Sequence, residues 1–209
     1  MTNLKSKVAL VTGSARGIGK AIAERFGALG ASVVVNDATS EGPALETVAA
    51  INYLGGTATA VQADVSKVAD IDRLLATSSE RYSRVDIVVA NAGLELVGTP
   101  IVDVTEGDFD RLFGVNTNGT FFTLQKAARH ITDNGRIMYV SSSSTVFPMP
   151  GYGLYSGSKI APTLFCGSLG QGTRPPRRYS QFHPTDGYRG RGPFDRRGEA
   201  ESARIHPSV

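Results

Sequence analysis

The sequence of 209 residues has little cysteine and no long apolar run. Its single cysteine excludes a disulfide framework and a cysteine-rich zinc module. No apolar run approaches the ~18 residues that a membrane span needs, and the apolar stretch Val8–Val11 is too short for the core of a signal peptide. The ordinary content of Gly and Pro excludes a collagen and a wholly disordered chain. We therefore expect a soluble, cytoplasmic protein without a membrane partner.

The two parts of the chain differ in charge and in apolar content. Residues 1–164 carry 14 basic and 15 acidic side chains, whereas residues 165–209 carry 8 and 4, and every basic residue of the second part is arginine. Between Gly170 and Ala203 there is no Leu, Ile, Val or Met. A segment without such side chains cannot build a core. We predict a folded domain over residues 1–165 and an unstructured basic tail over residues 166–209.

Strand and helix signals alternate along residues 1–165. Short β-branched runs predict strands, and apolar residues spaced three and four apart predict helices between them. Helix caps are predicted at Ser40, at Ser66 and in a capping box of Thr105 with Asp108. Strands separated by helices pair in parallel, so we expect an α/β, Rossmann-type doubly wound sheet. The predicted strands are Lys7–Thr12, Ser32–Asn36, Thr57–Gln62, Val85–Ala90 and Arg136–Val140.

A glycine-rich turn links the first predicted strand to the first helix, at the edge of the sheet where such folds bind ligands. Gly13 permits a tight turn, Gly17 lets the backbone approach a pyrophosphate, and Gly19 lets the helix lie close to the sheet. The helix then offers unpaired N–H groups to the phosphates. Glycine turns also occur without a ligand, so the strand before and the helix after carry the nucleotide-binding interpretation. The predicted cofactor contacts in this turn are Gly13, Ser14, Arg16, Gly17, Ile18 and Gly19.

Asp37 follows the second strand, 18 residues beyond Gly19. A carboxylate at an offset of ~20 residues accepts hydrogen bonds from an adenosine ribose, and it would repel a 2′-phosphate and favour NAD. Arg16 favours the opposite choice, because a guanidinium in the turn binds that phosphate. A solvated turn aspartate is the alternative for Asp37. The sequence predicts NAD or NADP as the cofactor, with NAD favoured.

Further polar residues end the third and fourth strands. Asp64 with Val65 follows the third strand, and Asn91, Ala92 and Gly93 follow the fourth. Since the carboxyl ends of parallel strands share one edge of the sheet, we expect these residues to line the adenine and ribose cleft. A helix-capping acid and a tight turn are the respective alternatives.

Tyr155 and Lys159 stand one helical turn apart and share a face of a predicted helix. A nearby ammonium favours a phenolate, so we expect Lys159 to lower the pKa of Tyr155 toward the working pH of a general acid or base. A surface aromatic–cation pair is the alternative. Ser142 lies in a run of four serines, a pattern also typical of a polar loop. Asn116 continues an apolar helical stripe and is expected to point inward, with a helix kink as the alternative.

Together these residues resemble one family, the classical short-chain dehydrogenases/reductases, over about residues 5–165. The resemblance implies an NAD(P)-dependent oxidoreductase that interconverts a small-molecule carbonyl and an alcohol, and it implies a homo-oligomer. The matching motifs are Thr12-Gly13-x-x-x-Gly17-x-Gly19, Asp64, Asn91-Ala92-Gly93, Asn116, Ser142 and Tyr155-x-x-x-Lys159, with Tyr155 13 positions after Ser142.

The resemblance also implies roles for the catalytic residues. Tyr155 donates or accepts the proton as hydride moves between the nicotinamide and the substrate carbon. Ser142 hydrogen-bonds the substrate oxygen, Lys159 holds the nicotinamide ribose, and Asn116 anchors a water of the proton relay. Tyr155 and Lys159 therefore also count as cofactor contacts, and no metal is expected. Pro162 departs from an ordinary helix because it removes the helical bond to the carbonyl of Ser158.

The family's remaining helix, its sixth and seventh strands and its substrate-binding helices are not visible after Phe165 in the sequence. Codons for Phe165–Asp186 can be chosen so that a frame offset by one nucleotide reads F-V-E-V-L-A-K-E-L-G-P-R-G-V-T-V-N-S-I-L-P, an apolar and periodic string. We hypothesise that a frameshift, natural or introduced in sequencing, has replaced the C-terminal part. A clean reading frame across codons 160–209, without an insertion or deletion relative to close relatives, would refute this.

Two functional alternatives remain open at this stage. The tail could bind single-stranded nucleic acid through its arginines and aromatics, although Arg189-Gly190-Arg191-Gly192 is its only dense repeat, so nucleic acid is the less favoured partner. The whole chain could also be a non-catalytic nucleotide-binding fragment. If the last strands are missing, the fifth strand becomes an exposed sheet edge, and we expect poor stability, weak or absent activity and the loss of the family's oligomer interfaces.

Overall fold

The computed structural model describes residues 3–172 and 178–182 of the chain. Within them six strands form one parallel sheet with helices on both faces, so the predicted doubly wound α/β fold is confirmed. The strands are β1 (Val8–Val11), β2 (Ser32–Asp37), β3 (Thr57–Gln62), β4 (Ile87–Ala90), β5 (Arg136–Val140) and β6 (Arg178–Phe182). Their order in the sheet is β3-β2-β1-β4-β5-β6. The order reverses between β1 and β4, which places a ligand cleft at the carboxyl ends of these two strands.

Helices follow each of the first five strands. They are α1 (Gly17–Ala28), α2 (Glu41–Tyr53), α3 (Val68–Tyr82), α4 (Glu106–Phe113), α5 (Thr120–His130) and α6 (Gly153–Gly172). A π-helical segment, Gly114–Gly119, joins α4 to α5 and is called the π-turn below. None of the helices in the described part of the chain combines the length and the apolar content that crossing a membrane requires.

The predicted helix caps have different outcomes. The capping box is confirmed, because the Thr105 hydroxyl accepts a hydrogen bond from the Asp108 N–H at 3.1 Å. Ser40 occupies the predicted N-cap position of α2 but makes no side-chain capping hydrogen bond, and the cap at Ser66 is wrong because Lys67 is the N-cap of α3. The N–H of Ser40 donates to the Asp37 carboxylate, and the hydroxyl of Ser66 donates to Asp64 at 2.7 Å. In both places a carboxylate at a strand end is the stronger acceptor and organises the turn instead.

Alternate residues of the strands build two separate cores. Leu10 of β1 packs toward α3, α5 and α6, whereas its neighbours Ala9 and Val11 pack toward α1 and α2. This alternation follows from the pleat, which turns successive side chains to opposite faces. All four residues of β1 and of β4 are buried, as central strands of a doubly wound sheet require.

The chain after Phe165 differs from its predicted structure. Helix α6 continues across the predicted boundary at residue 165 and ends at Gly172. β6 then pairs in parallel with all five residues of β5. The expectation that β5 forms a sheet edge is therefore wrong, because backbone hydrogen bonding needs no apolar composition. The rest of the predicted tail, including residues 183–209 with the arginine–glycine repeat, lies outside the described residues.

Candidate active site

A cleft of about 510 Å³ lies at the carboxyl ends of the strands and gathers most of the predicted site residues. It runs from the glycine-rich turn and Asp37, past the ends of β3 and β4, to Tyr155 and Lys159 on α6. Three predicted residues, Ser14, Asn116 and Ser142, are not part of its wall. The predicted residues that line it are Gly13, Arg16, Gly17, Ile18, Gly19, Asp37, Asp64, Val65, Asn91, Ala92, Gly93, Tyr155 and Lys159.

The glycine turn has the backbone geometry that its sequence predicts. Gly13 has a φ of +62°, and a Cβ there would lie 2.8 Å from the Cα of Ala92. A Cβ on Gly19 would overlap the carbonyl oxygen of Gly13, so α1 lies directly against the turn. Gly17, with a φ of +56°, has nothing within 4 Å of its Cβ position and opens to the cleft. Gly13 and Gly19 are needed for packing, and Gly17 leaves room for a ligand.

Ser14 corrects the predicted set of cofactor contacts. It is fully buried, its hydroxyl donates to the carbonyl of Val11 at 2.7 Å and accepts from the N–H of Asn36 at 3.0 Å. Its own N–H donates to the carbonyl of Asn36 at 2.8 Å. These groups are satisfied inside the protein, so Ser14 joins β1 to β2 and does not face the cleft.

The glycine turn is held in place by Asn36, which was not among the predicted site residues, and by Thr12, which was named only as part of the glycine motif. Asn36 accepts from the N–H of Gly13 at 3.1 Å, while its amide nitrogen lies 3.0–3.2 Å from the carbonyls of Asp37, Val61 and Ala63. Thr12 accepts from the N–H groups of two residues after β4, both at 3.0 Å. Both residues adjoin predicted site residues, and that adjacency was the available signal.

The side-chain amide of Asn91, directly after β4, holds the backbone of the glycine turn. Its side chain donates to the carbonyls of Thr12 and Gly13 at 2.9 and 3.1 Å. The end of β4 is thereby tied to the glycine turn across the switch point of the sheet. Asn91 therefore lines the cleft and also fixes the backbone of its opposite wall.

Asp37 and Arg16 lie at the same end of the cleft with different exposure. Asp37 is 4% exposed, and its carboxylate accepts from the N–H of Ser40 at 2.5 Å. Arg16 is exposed at the N-terminus of α1, with no side-chain hydrogen bond capping the helix. The carboxylate is thus held by the protein backbone, whereas the guanidinium and the N–H groups of the helix end are free to meet an anion.

Asp64 combines the two interpretations offered for it. It lines the cleft, and its carboxylate accepts from the N–H and the hydroxyl of Ser66 at 3.0 and 2.7 Å, as a turn-forming acid does. Burial alone would raise the pKa of Asp64, but the hydrogen bonds from Ser66 and the charge of Lys67 outweigh it and lower that pKa. Asp64 therefore carries a negative charge beside the cleft at neutral pH.

Asn116 lies fully buried in the π-turn, which confirms that it points inward. Its amide oxygen accepts from the N–H of Leu94 at 2.8 Å. Its amide nitrogen donates to the Leu94 carbonyl and to the Ser158 hydroxyl, both at 2.9 Å. Asn116 thereby joins the loop after β4 to α6. Its predicted role in anchoring a water stays a prediction.

Tyr155 is half-buried in the cleft wall, and its environment differs from the predicted one. Burial raises the pKa of Tyr155, a hydrogen bond with Ser142 partly opposes this, and the negative charge of Glu95 adds to the rise. The expectation that Lys159 lowers this pKa is wrong for this structure. The ammonium of Lys159 donates to the carbonyl of Val140 at 3.0 Å instead.

Lys159 is itself buried, with only 5% of its surface exposed. Desolvation lowers the pKa of Lys159 to about 8. Its ammonium lies 5.1 Å from the centre of the Tyr139 ring, and a Cβ on Gly93 would lie 3.4 Å from it. The lysine thus lies between β5, the loop after β4 and the cleft, where a positive charge can meet a polar ligand group.

The comparison of this sequence with known families is consistent with this geometry. The short chain dehydrogenase family matches residues 7–176. The chain belongs to that family.

Individual members of the family are similar to this chain in sequence. The chain is 48% identical over 159 residues to the short chain dehydrogenase/reductase AacuN of Aspergillus aculeatus, and 45% identical over 160 residues to the hydroxynaphthalene reductase-like protein Arp2 of Metarhizium brunneum. Each match covers 76% of this chain and 60% of the relative, so the chain spans about 60% of the length of these curated relatives.

A solved structure is similar over most of the described residues. The landomycin C-6 ketoreductase LanV, solved with NADP and rabelomycin, is 39% identical with a TM-score of 0.76. The match covers 81% of this chain and 71% of LanV. The chain therefore shares its Rossmann fold with LanV, a ketoreductase solved with NADP.

Proposed function

We propose that the chain is an oxidoreductase that reduces a carbonyl to an alcohol with NADP(H), with Tyr155 as the proton donor. One observation carries the proposal: Tyr155 and Lys159 line the same cleft as the glycine-rich turn. A proton donor and a dinucleotide-binding turn thus share one cavity. The family membership supports the same reaction class.

The residues of the cleft fit a nicotinamide dinucleotide. The N-terminus of α1 has no side-chain cap, and Gly17 leaves the space above it open. Unpaired N–H groups at a helix N-terminus bind phosphate. Asp64 and Asn91 line the middle of the cleft, and Lys159 lies at its far end. When bound, the cofactor supplies the hydride.

We propose NADP(H) in place of the NAD that the sequence favoured. LanV, a similar protein of solved structure, binds NADP. In this chain Arg16 is exposed at the adenosine end of the cleft, while the Asp37 carboxylate accepts the Ser40 N–H. The guanidinium is the group suited to a 2′-phosphate.

The chain's own residues supply the proton. Burial raises the pKa of Tyr155, so its hydroxyl is protonated at neutral pH and can donate to a substrate oxygen. Ser142 is the neighbour that partly opposes the rise in the pKa of Tyr155, and we assign to it the second donor to the substrate oxygen. Lys159, with a pKa of about 8, is mostly charged at pH 7. We assign to it the nicotinamide ribose of the cofactor. The protonated phenol is the form that acts as the general acid in carbonyl reduction.

The relatives' names narrow the substrate class. Arp2 is named as a hydroxynaphthalene reductase-like protein, and LanV was solved with rabelomycin. We propose a ketone on a fused aromatic ring system as the substrate. A screen of tetralones against linear ketones tests this, and equal rates with both classes would contradict it.

Steady-state reduction of a tetralone by the full chain and by Tyr155→Phe tests the reaction. Loss of a positioned general acid lowers kcat by about 100-fold or more, while the NADPH affinity, measured by nicotinamide fluorescence, stays within about twofold. Tyr53→Phe is the matched control, since Tyr53 is 90% exposed on α2. An unchanged rate in Tyr155→Phe would remove the tyrosine from the mechanism.

A non-catalytic nucleotide-binding protein is the second candidate. It is favoured by the positions of Ser142 and Asn116, two predicted catalytic residues that are not part of the wall of the cleft. NADPH binding without turnover on any ketone of the screen would favour this candidate over the reductase.

A further inference from the structure

Pro162 lies inside α6, within one turn of Lys159. Proline has no N–H, so the carbonyl four residues earlier, that of Ser158, loses its helical donor. Ser158 is fully buried, so water does not replace that donor. A buried carbonyl without a partner is destabilising, and native proteins avoid it.

Thr117 of the π-turn supplies the missing donor. Its hydroxyl donates to the Ser158 carbonyl at 3.0 Å. The preceding residue, Asn116, donates to the Ser158 hydroxyl at 2.9 Å, and that hydroxyl donates to the Tyr155 carbonyl at 2.7 Å. Two consecutive residues of the π-turn thus bind two different atoms of Ser158.

The next carbonyl of α6 is supported in a similar way. The Lys159 carbonyl accepts from the Tyr139 hydroxyl at 3.1 Å and from the Thr163 hydroxyl at 3.2 Å. Side-chain hydroxyls therefore reach both carbonyls of the helical turn before the proline. This turn carries Tyr155 at its start and Lys159 at its end.

We propose that Thr117 is a positioning residue that replaces the helical hydrogen bond lost at Pro162 and so holds the turn between Tyr155 and Lys159 in its catalytic geometry. The inference rests on the proposed function for its kinetic part. Its structural part requires only that the Thr117 hydroxyl be needed when residue 162 is proline and has no N–H to donate. Asn116 and Thr117 would then have separate tasks, one for the side chain of Ser158 and one for its backbone.

Four variants of the full chain separate this dependence from general damage. Thr117→Val removes the hydroxyl and keeps the shape, whereas Thr117→Ser keeps the hydroxyl. Pro162→Ala restores an N–H that can donate to Ser158. The fourth variant combines Thr117→Val with Pro162→Ala.

The expected kinetic result is a selective loss with rescue. Misplacing a catalytic group slows the reaction, so we expect kcat for tetralone reduction to fall by about tenfold or more in Thr117→Val, with NADPH affinity within about twofold of the parent. Thr117→Ser and Pro162→Ala stay within about twofold, and the double variant recovers most of the lost kcat. A double variant as slow as Thr117→Val would overturn the inference.

Hydrogen exchange of the α6 backbone, read by mass spectrometry, tests the same dependence without turnover. Thr117→Val is expected to speed exchange in the peptide that covers residues 153–163, and Pro162→Ala is expected to restore the slow exchange. If the parent chain reduces no ketone, the proposed function fails, while this exchange pattern still supports the hydrogen-bond replacement. If Thr117→Val speeds exchange in this peptide equally in the parent and in the Pro162→Ala background, the inference is overturned.

Discussion

Tyr139 contacts Lys159 at both ends of the lysine: its hydroxyl donates to the backbone carbonyl at 3.1 Å, and its ring centre lies 5.1 Å from the ammonium. Tyr139 is fully buried in β5, and burial raises its pKa, so it remains a neutral donor. A neutral aromatic face stabilises an adjacent cation. The strand thus supports a charged group that burial alone would disfavour.

Replacing Lys159 by Met is expected to stabilise the fold while it removes activity. Burial lowers the pKa of Lys159 from 10.5 to about 8, so the charged form is disfavoured in the folded state. The parent's stability is therefore reduced below pH 8 and rises as the pH increases from 8 toward 10.5. We expect Lys159→Met to raise the free energy of unfolding at pH 7 by about 1–3 kcal/mol.

Urea unfolding at pH 7 and at pH 9.5 measures this effect. The gain from Lys159→Met should shrink at the higher pH, where the parent lysine loses its proton. Lys5→Met, at an exposed position, is the control and should show no such pH dependence. Parallel stability curves for the parent and Lys159→Met would contradict the assigned burial of the charge.

Gly13→Ala is expected to weaken cofactor binding. A Cβ would meet the Cα of Ala92 at 2.8 Å, and the φ of +62° is strained for alanine. We expect at least a tenfold loss of NADPH affinity and a destabilisation of about 1–3 kcal/mol. Gly42→Ala in α2 is the control, because its Cβ has open space and alanine favours a helix. Equal behaviour of the two variants would show that the turn is not closely packed.

Arg16 and Asp37 are expected to set the choice between NADPH and NADH in opposite directions. Removing one charge next to a phosphate changes affinity by about fivefold. Arg16→Ala should weaken NADPH binding by about that factor and leave NADH binding nearly unchanged. Asp37→Asn, which retains an oxygen for the Ser40 N–H, should strengthen NADPH binding instead. Fluorescence titrations with both cofactors measure the ratio, and a loss of both affinities in Arg16→Ala would contradict a contact with the 2′-phosphate.

Asp86 is expected to govern the acid stability of the fold. It is 3% exposed and accepts hydrogen bonds from Arg84, from the N–H of Val8 and from Thr132. Burial alone would raise the pKa of Asp86, but these hydrogen bonds and the charge of Arg84 lower it below 3.8. Its stabilisation is thus complete above pH 3.8 and is lost as the pH falls through the lowered pKa.

Removing this charge tests its contribution. Asp86→Asn should destabilise the chain at pH 7 by about 1–3 kcal/mol, because it removes the charge that accepts the hydrogen bonds of this buried carboxylate. Acid unfolding followed by circular dichroism should then begin at a higher pH than in the parent. Asp110→Asn, at an exposed position of α4, should leave the acid transition in place. An acid transition shared by the parent and Asp86→Asn would exclude the carboxylate as its cause.

Local sequence signals were sufficient for the parts of the fold that depend on local structure. The predicted bounds of β3 and β5 agree with the structure at both ends. The capping box at Thr105 agrees as well, because one turn of backbone contains the whole motif. Most residues predicted to bind the cofactor do line one cleft, since each follows a strand whose end lies at the same edge.

Interactions between distant segments could not be predicted in the same way. The burial of Ser14 depends on its contact with Asn36, and the pKa of Tyr155 depends on Ser142 and Glu95. These partners come together only when the sheet forms. β6 was missed for a related reason: its strand is specified by pairing with β5 and not by its own composition. The frameshift hypothesis stays a prediction that resequencing of codons 160–209 tests.

The amide of Asn36 contacts backbone groups of the glycine turn, the end of β2 and the segment that follows β3. Any variant that loosens the β3 side of the sheet will therefore disturb the glycine turn, which we propose binds the pyrophosphate. Nucleotide affinity then reports on the integrity of a distant strand, so a titration with NADPH doubles as a sensitive probe of correct folding for this chain.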